Sequence, residues 1–168
     1  SKERAYLDAA IRAARQAVDA AAADEHRRAR MLSNLSAALR TQYQLTSESD
    51  HLDAAVDAAR QAVDATPADH PSRASYLFNL GQVLRHRAEL TGAGREDAVA
   101  ALAEAVEITA AEPSLRIRAA QLAGALAAAS DTGYAANLLE AAVRLLPEVA
   151  PRRIHRGDQQ HRLGGFTG

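Results

Sequence analysis

The chain has 168 residues and a formal net charge of −1, with 20 Lys+Arg against 21 Asp+Glu and no cysteine. Disulfides, thiolate metal sites and a cysteine nucleophile are thereby excluded within it. The balanced charge argues against a nucleic-acid binder, whose affinity rests on neutralising phosphates. Hydrophobic residues make up 48% of the chain but aromatic residues only 4%. Much of the apolar share is alanine, so a core must come from many small contacts where backbones approach closely. The longest uncharged stretch, residues 119–130, is too short to span a bilayer, and a soluble, cytoplasmic protein is expected.

Taken in chain order, residues 1–23 read as a single helix (about residues 4–23) with no helix before it to pair with. Its segment ARQAVDA at residues 14–20 recurs letter for letter at 59–65, a shift of 45. The same shift carries Leu7 onto Leu52, Leu32 onto Leu77, Asn34-Leu35 onto Asn79-Leu80, and Leu39-Arg40 onto Leu84-Arg85. Matches spread over a whole period mark an internal repeat. Residues 26–67 form the first complete unit and 71–110 the second. In the second, Leu77, Leu80, Gly81, Leu84 and Ala88 follow helical spacing and predict one apolar stripe. Pro71 suits a helix start and Gly92 a left-handed stop. In the first unit, Leu52, Ala55, Val56, Ala59, Ala62 and Val63 keep the same spacing, with Pro67 closing it.

The third unit, 113–147, is more worn. Leu122, Ala123 and Leu126 are read as taking the places of Leu80, Gly81 and Leu84, a shift of 42. Ala135, Leu139, Ala142 and Val143 take those of Ala98, Leu102, Ala105 and Val106, a shift of 37. Residues 151–168 read as the truncated start of a fourth unit, Leu163-Gly164 imitating Leu80-Gly81. The loop inside each pair shortens from TSESDH to TGAGR to DTG, a variation that solvent loops tolerate. Nothing alternates with the period of two that strands require, so an all-α chain is expected.

These residues resemble the tetratricopeptide repeat. Leu77, Leu80-Gly81 and Leu84 fall on its first-helix pattern, and Ala98, Leu102 and Ala105 on its second, as do Ala135, Leu139, Ala142 and Pro147. The first unit offers Leu32, Leu35-Ser36, Leu39, Ala55, Ala59, Ala62 and Pro67. Leucine replaces most of the aromatic positions, and the loops exceed those of the usual repeat of about 34 residues. More weakly, the long units resemble arrays in multidomain bacterial proteins that can carry a caspase-like CHAT domain. The resemblance implies an α-solenoid of antiparallel helix pairs, about three repeats with partial repeats at both ends. Neither end looks finished, so an excised piece of a longer array, self-associating through its ends, is expected.

The resemblance also implies work: a protein–protein interaction scaffold that takes a peptide or partner protein in a concave groove lined by the first helix of each pair. The residues off the apolar stripe there are Arg30, Ser33, Asn34, Ala37 and Arg40, then Ser75, Phe78, Asn79, Gln82, Arg85 and His86, then Ile117, Ala120 and Gln121. Asn and Arg recurring at one spacing resemble a clamp for a peptide carboxylate, since an Arg fork and an Asn amide can satisfy two oxygens. The alternative for the asparagines is bonding within the fold. His26, His51, His70, His86, His155 and His161 show no ligand spacing, so no metal and no cofactor are expected. No nucleophile, base and oxyanion set stands out, and the chain is not expected to be an enzyme. The competing readings are a regulatory or substrate-docking segment of a larger enzyme such as a CHAT-type peptidase and, further back, a nucleic-acid-binding helical repeat.

Overall fold

A computed structural model describes residues 2–149 in full, together with the backbone of the last helix as far as Leu163. The described residues form seven helices and no strand: α1 (Lys2–Ala20), α2 (Glu25–Thr46), α3 (Ser49–Asp64), α4 (Pro71–Thr91), α5 (Arg95–Glu107), α6 (Pro113–Ala127) and α7 (Thr132–Leu163). The chain is all-α. The expected start of a further unit at 151–168, with His155, His161 and Leu163-Gly164, lies outside the residues described in full. The backbone of α7 runs on through Pro147, where the sequence pattern places a repeat end.

Local chemistry sets the helix ends. Asp24 caps α2 by accepting a bond from the Arg27 amide at 3.0 Å, satisfying one of the first-turn donors a helix leaves unpaired. At α4, His70 Nδ1 accepts from the Ser72 amide at 3.2 Å, and Pro71 fills the first helical position. The far ends of α2 and α4 are the same device in two copies. Ser47 at φ 58 and Gly92 at φ 75 each turn left-handed. Each sends its N–H four residues back, to the Tyr43 oxygen at 2.7 Å and the Ala88 oxygen at 2.8 Å. Glycine takes that conformation freely, whereas a side chain there costs about 1–2 kcal/mol.

Each helix packs on the next in the chain, and α4 also touches both α2 and α6. The seam between neighbours is made of the expected stripe: Leu77, Leu80, Leu84, Leu52, Ala55, Val56, Ala59, Ala62 and Val63 are all buried. The two ARQAVDA segments sit in the same phase. Val18 and Val63 are buried while Arg15, Gln16 and Asp19 face outward, as do Arg60, Gln61 and Asp64. The α1 copy is the barer one, Ala14 and Ala17 being half-buried where Ala59 and Ala62 are buried.

Close approach within each pair is bought at a small residue. Gly81 lies so near Leu102 that an added Cβ would sit 2.7 Å from Leu102 Cδ2. In the unit before it, Ser36 occupies the place and its hydroxyl donates to the Ala55 carbonyl at 2.8 Å. In the unit after, the place belongs to Gly124, whose added Cβ would meet Leu139 Cγ at 2.9 Å. This corrects the register read from the sequence, which set Ala123 opposite Gly81. The shift between α4 and α6 is 43 (from 81 to 124), not 42. Ala119, Ala120, Ala123 and Ala127 form the buried row, and Leu122 and Leu126 are only half-buried.

A polar anchor repeats at the same shift of 43. Arg73 Nη1 donates to the Val63 carbonyl at 2.7 Å and the Thr66 carbonyl at 2.6 Å. Arg116 Nε donates to the Val106 carbonyl at 2.7 Å. An arginine in the first turn of one helix thus serves carbonyls at or just past the end of the helix before it. Arg73 also pairs with Glu104 of α5 at 2.9 Å and keeps a side-chain exposure of only 18%. Arg73→Ala is expected to lower stability by about 2–3 kcal/mol, because bonds from a charged donor contribute about 1.5–3 kcal/mol. Urea denaturation checks this against Arg60→Ala on an exposed face, expected within about 0.5 kcal/mol of the parent. Equal losses would contradict the anchoring role.

Candidate functional site

The face shared by α2, α4 and α6 carries most of the residues the sequence singles out, and the structure sorts them. Arg30, Asn34, Ser75 and Gln121 are exposed. Ala37, Arg40, Asn79, Gln82, Arg85, His86 and Ile117 are half-buried. Ser33, Phe78 and Ala120 are buried, at 4%, 7% and 0% exposure. Ala120 belongs to the alanine row of the seam and has no surface to offer a ligand. That misplacement follows from the register of α6, where Ala120 stands in the position of Leu77.

Side chains of α2 and α4 meet across this face. The Asn79 amide donates to Ser33 Oγ at 2.8 Å, so its nitrogen serves the fold. Further along, Arg40 of α2 lies close enough to Arg85 of α4 to feel its charge. Burial first, and then the charge of Arg85, hold the Arg40 guanidinium below its ordinary pKa. Arg85 pairs with Glu89 at 2.9 Å, yet its Nε is sealed from solvent with no hydrogen-bond partner. At the end of the face, His86 Nδ1 lies 2.9 Å from the Gln82 carbonyl, and its Nε2 lies 3.2 Å from Gln44 Nε2. A carbonyl only accepts, so Nδ1 carries the proton and Nε2 receives the Gln44 amide. Tyr43 meets the same ring edge-on at 6.3 Å.

Between α4 and α6 the contact is a different kind. The Arg118 guanidinium lies over the Phe78 ring, 4.7 Å from its centroid, a cation–π arrangement. The aromatic anchor read from the sequence is therefore lidded, and reaching its face requires Arg118 to swing aside. Sequence reasoning missed Arg118 because the α6 register was one residue off. At the corrected shift of 43 it stands where Ser75 stands in α4.

No family model, curated protein or solved structure matches the chain. Among the described residues no helix is long and apolar enough to cross a membrane, and no three His, Asp or Glu side chains converge as metal ligands would. The α2–α4–α6 face holds two neighbouring guanidinium groups, of which Arg85 is paired with Glu89, a ring under a cation, and the half-buried amides of Asn79 and Gln82.

Proposed function

We propose that the chain is an α-solenoid of tetratricopeptide-like helix pairs that serves as a binding scaffold, not a catalyst, and takes an acidic peptide segment of a partner protein along the α2–α4–α6 groove. The observation that carries this reading is the Arg40–Arg85 pair. Desolvation and mutual repulsion both act against the charged form of Arg40. A carboxylate set between the two would relieve the repulsion and accept from both guanidinium groups. Neighbouring Gln82 and Asn34 offer amides to the peptide backbone. The formal charge of −1 for the whole chain keeps this basic spot local, which suits a peptide better than a polyphosphate backbone.

The test is fluorescence anisotropy with a labelled peptide ending in a free acidic residue, against the same peptide with its carboxylates amidated. Arg40→Gln and Arg85→Gln are each expected to weaken the acidic peptide about 10-fold or more, as loss of one charged hydrogen bond implies, and to leave the amidated one unchanged. Arg40→Gln should at the same time leave the thermal midpoint equal to or above the parent's, because it removes a repelled charge. Equal affinity of parent and variants for the acidic peptide would reject the reading.

A further inference from the structure

A second concentration of polar groups lies where the first turns of α2 and α4 meet, at a cavity of ≈350 Å³. We infer that this cavity is a binding site for a dianionic phosphate group, as free phosphate or a phosphomonoester. Its walls include His26, Arg27 and Arg30 from α2, and His70, Ser72 and Tyr76 from the start of α4. Both helices are long, at 22 and 21 residues, so each brings the positive end of its dipole toward the cavity, although the Arg27 and Ser72 amides are already capped by Asp24 and His70.

The side chains point the same way independently of the helix ends. Tyr76 is buried but for 9% and lines the cavity. Its hydroxyl makes no hydrogen bond among the described residues and is not sealed from solvent, so a ligand oxygen can reach it. Arg27 and Arg30 line the cavity too, and neither guanidinium is paired with a carboxylate among the described residues. The one carboxylate at the cavity, Asp24, is engaged as the α2 cap through the Arg27 amide. The rings of His26 and His70 stack at 5.2 Å with 23° between their planes. Because His70 Nδ1 accepts from the Ser72 amide, its proton sits on Nε2, where it is a donor. Two guanidinium forks, a tyrosine hydroxyl, an imidazole N–H and the Ser72 hydroxyl give a set rich in donors, with its only carboxylate already engaged. A tetrahedral dianion, which offers several acceptor oxygens and no donors, is the ligand such a set satisfies.

The test uses the whole chain and follows amide chemical shifts on titration with inorganic phosphate, with chloride at matched ionic strength as reference. A phosphoserine peptide and its unphosphorylated form are titrated in parallel. The expected result is saturable shifts at residues 24–30 and 70–76. Arg30→Gln is expected to weaken binding about 10-fold and Tyr76→Phe about 3- to 10-fold, the range for a charged and a neutral hydrogen bond. Arg40→Gln, on the separate peptide groove, should change nothing here. Tighter binding of the phosphoserine peptide than of inorganic phosphate assigns the site to a phosphorylated partner, and the reverse to the free ion. Shifts matched by chloride, or affinities unmoved in both Arg30→Gln and Tyr76→Phe, overturn the inference.

Discussion

Leu102→Ala is expected to lower the unfolding free energy by about 2–5 kcal/mol, the range for removing a leucine from a packed interior. Leu102 is completely buried, held between Gly81 on α4 and the helix that follows, α6, which packs on α5. The repeat-equivalent Leu139 on α7 touches Gly124 in the same way but is 44% exposed. Leu139→Ala should therefore cost about 1 kcal/mol or less, since half of that side chain gains nothing from burial. Urea denaturation of both variants gives the comparison. A Leu139→Ala loss as large as that at Leu102 would mean that something covers α7 which the described residues do not include.

The second large effect reverses the change, adding volume instead of removing it. Gly81→Ala places a methyl group inside 3 Å of Leu102, and Leu102 has no solvent to turn into. The two helices must separate, which costs about 1–3 kcal/mol for an overpacked interior. The helical preference of alanine over glycine works against that by about 1 kcal/mol, so a net loss of about 1–2 kcal/mol is expected. At Gly124 the added methyl meets Leu139 Cγ at 2.9 Å and Cδ2 at 3.0 Å. Those atoms belong to a half-exposed side chain that can rotate outward, and Gly124→Ala should come out near neutral, within about 0.5 kcal/mol of the parent. Thermal melts of the two variants decide the matter. A neutral Gly81→Ala would show that the α4–α5 seam is looser than its geometry indicates.

These paired predictions mark where the sequence is readable and where it is not. The ends of α4 were legible because they have chemical signs: Pro71 sits at its first position and Gly92 ends it left-handed, whereas Pro147, read as a repeat end, lies inside α7. The stripe on α4 was legible because leucine weighs heavily in any hydrophobic pattern. On α6 the same weighting misled. Its buried row is alanine and glycine, Ala119, Ala120, Ala123, Gly124 and Ala127, while Leu122 and Leu126 sit at the margin. Alanine carries little transfer free energy, yet it is what a tight backbone approach selects.

The polar features were harder still. Arg73 and Arg116 reach back ten residues to a carbonyl, and apolar periodicity does not register a charged residue in a first turn. Their recurrence at one shift was the available sign. The nearness of Arg40 to Arg85 follows from α2 lying against α4. His26 and His70 come from loop and first-turn positions that no periodicity connects, so only the packed helices reveal their stacking.

Ser47 has a consequence of its own. Selection has left the second helix leaving its last turn through a conformation its amino acid resists, although the following unit solves the identical problem with glycine. That turn is a thermodynamic concession of about 1–2 kcal/mol, sited at the end of α2. A protein holding such slack has room to absorb harmful replacements elsewhere once the concession is withdrawn.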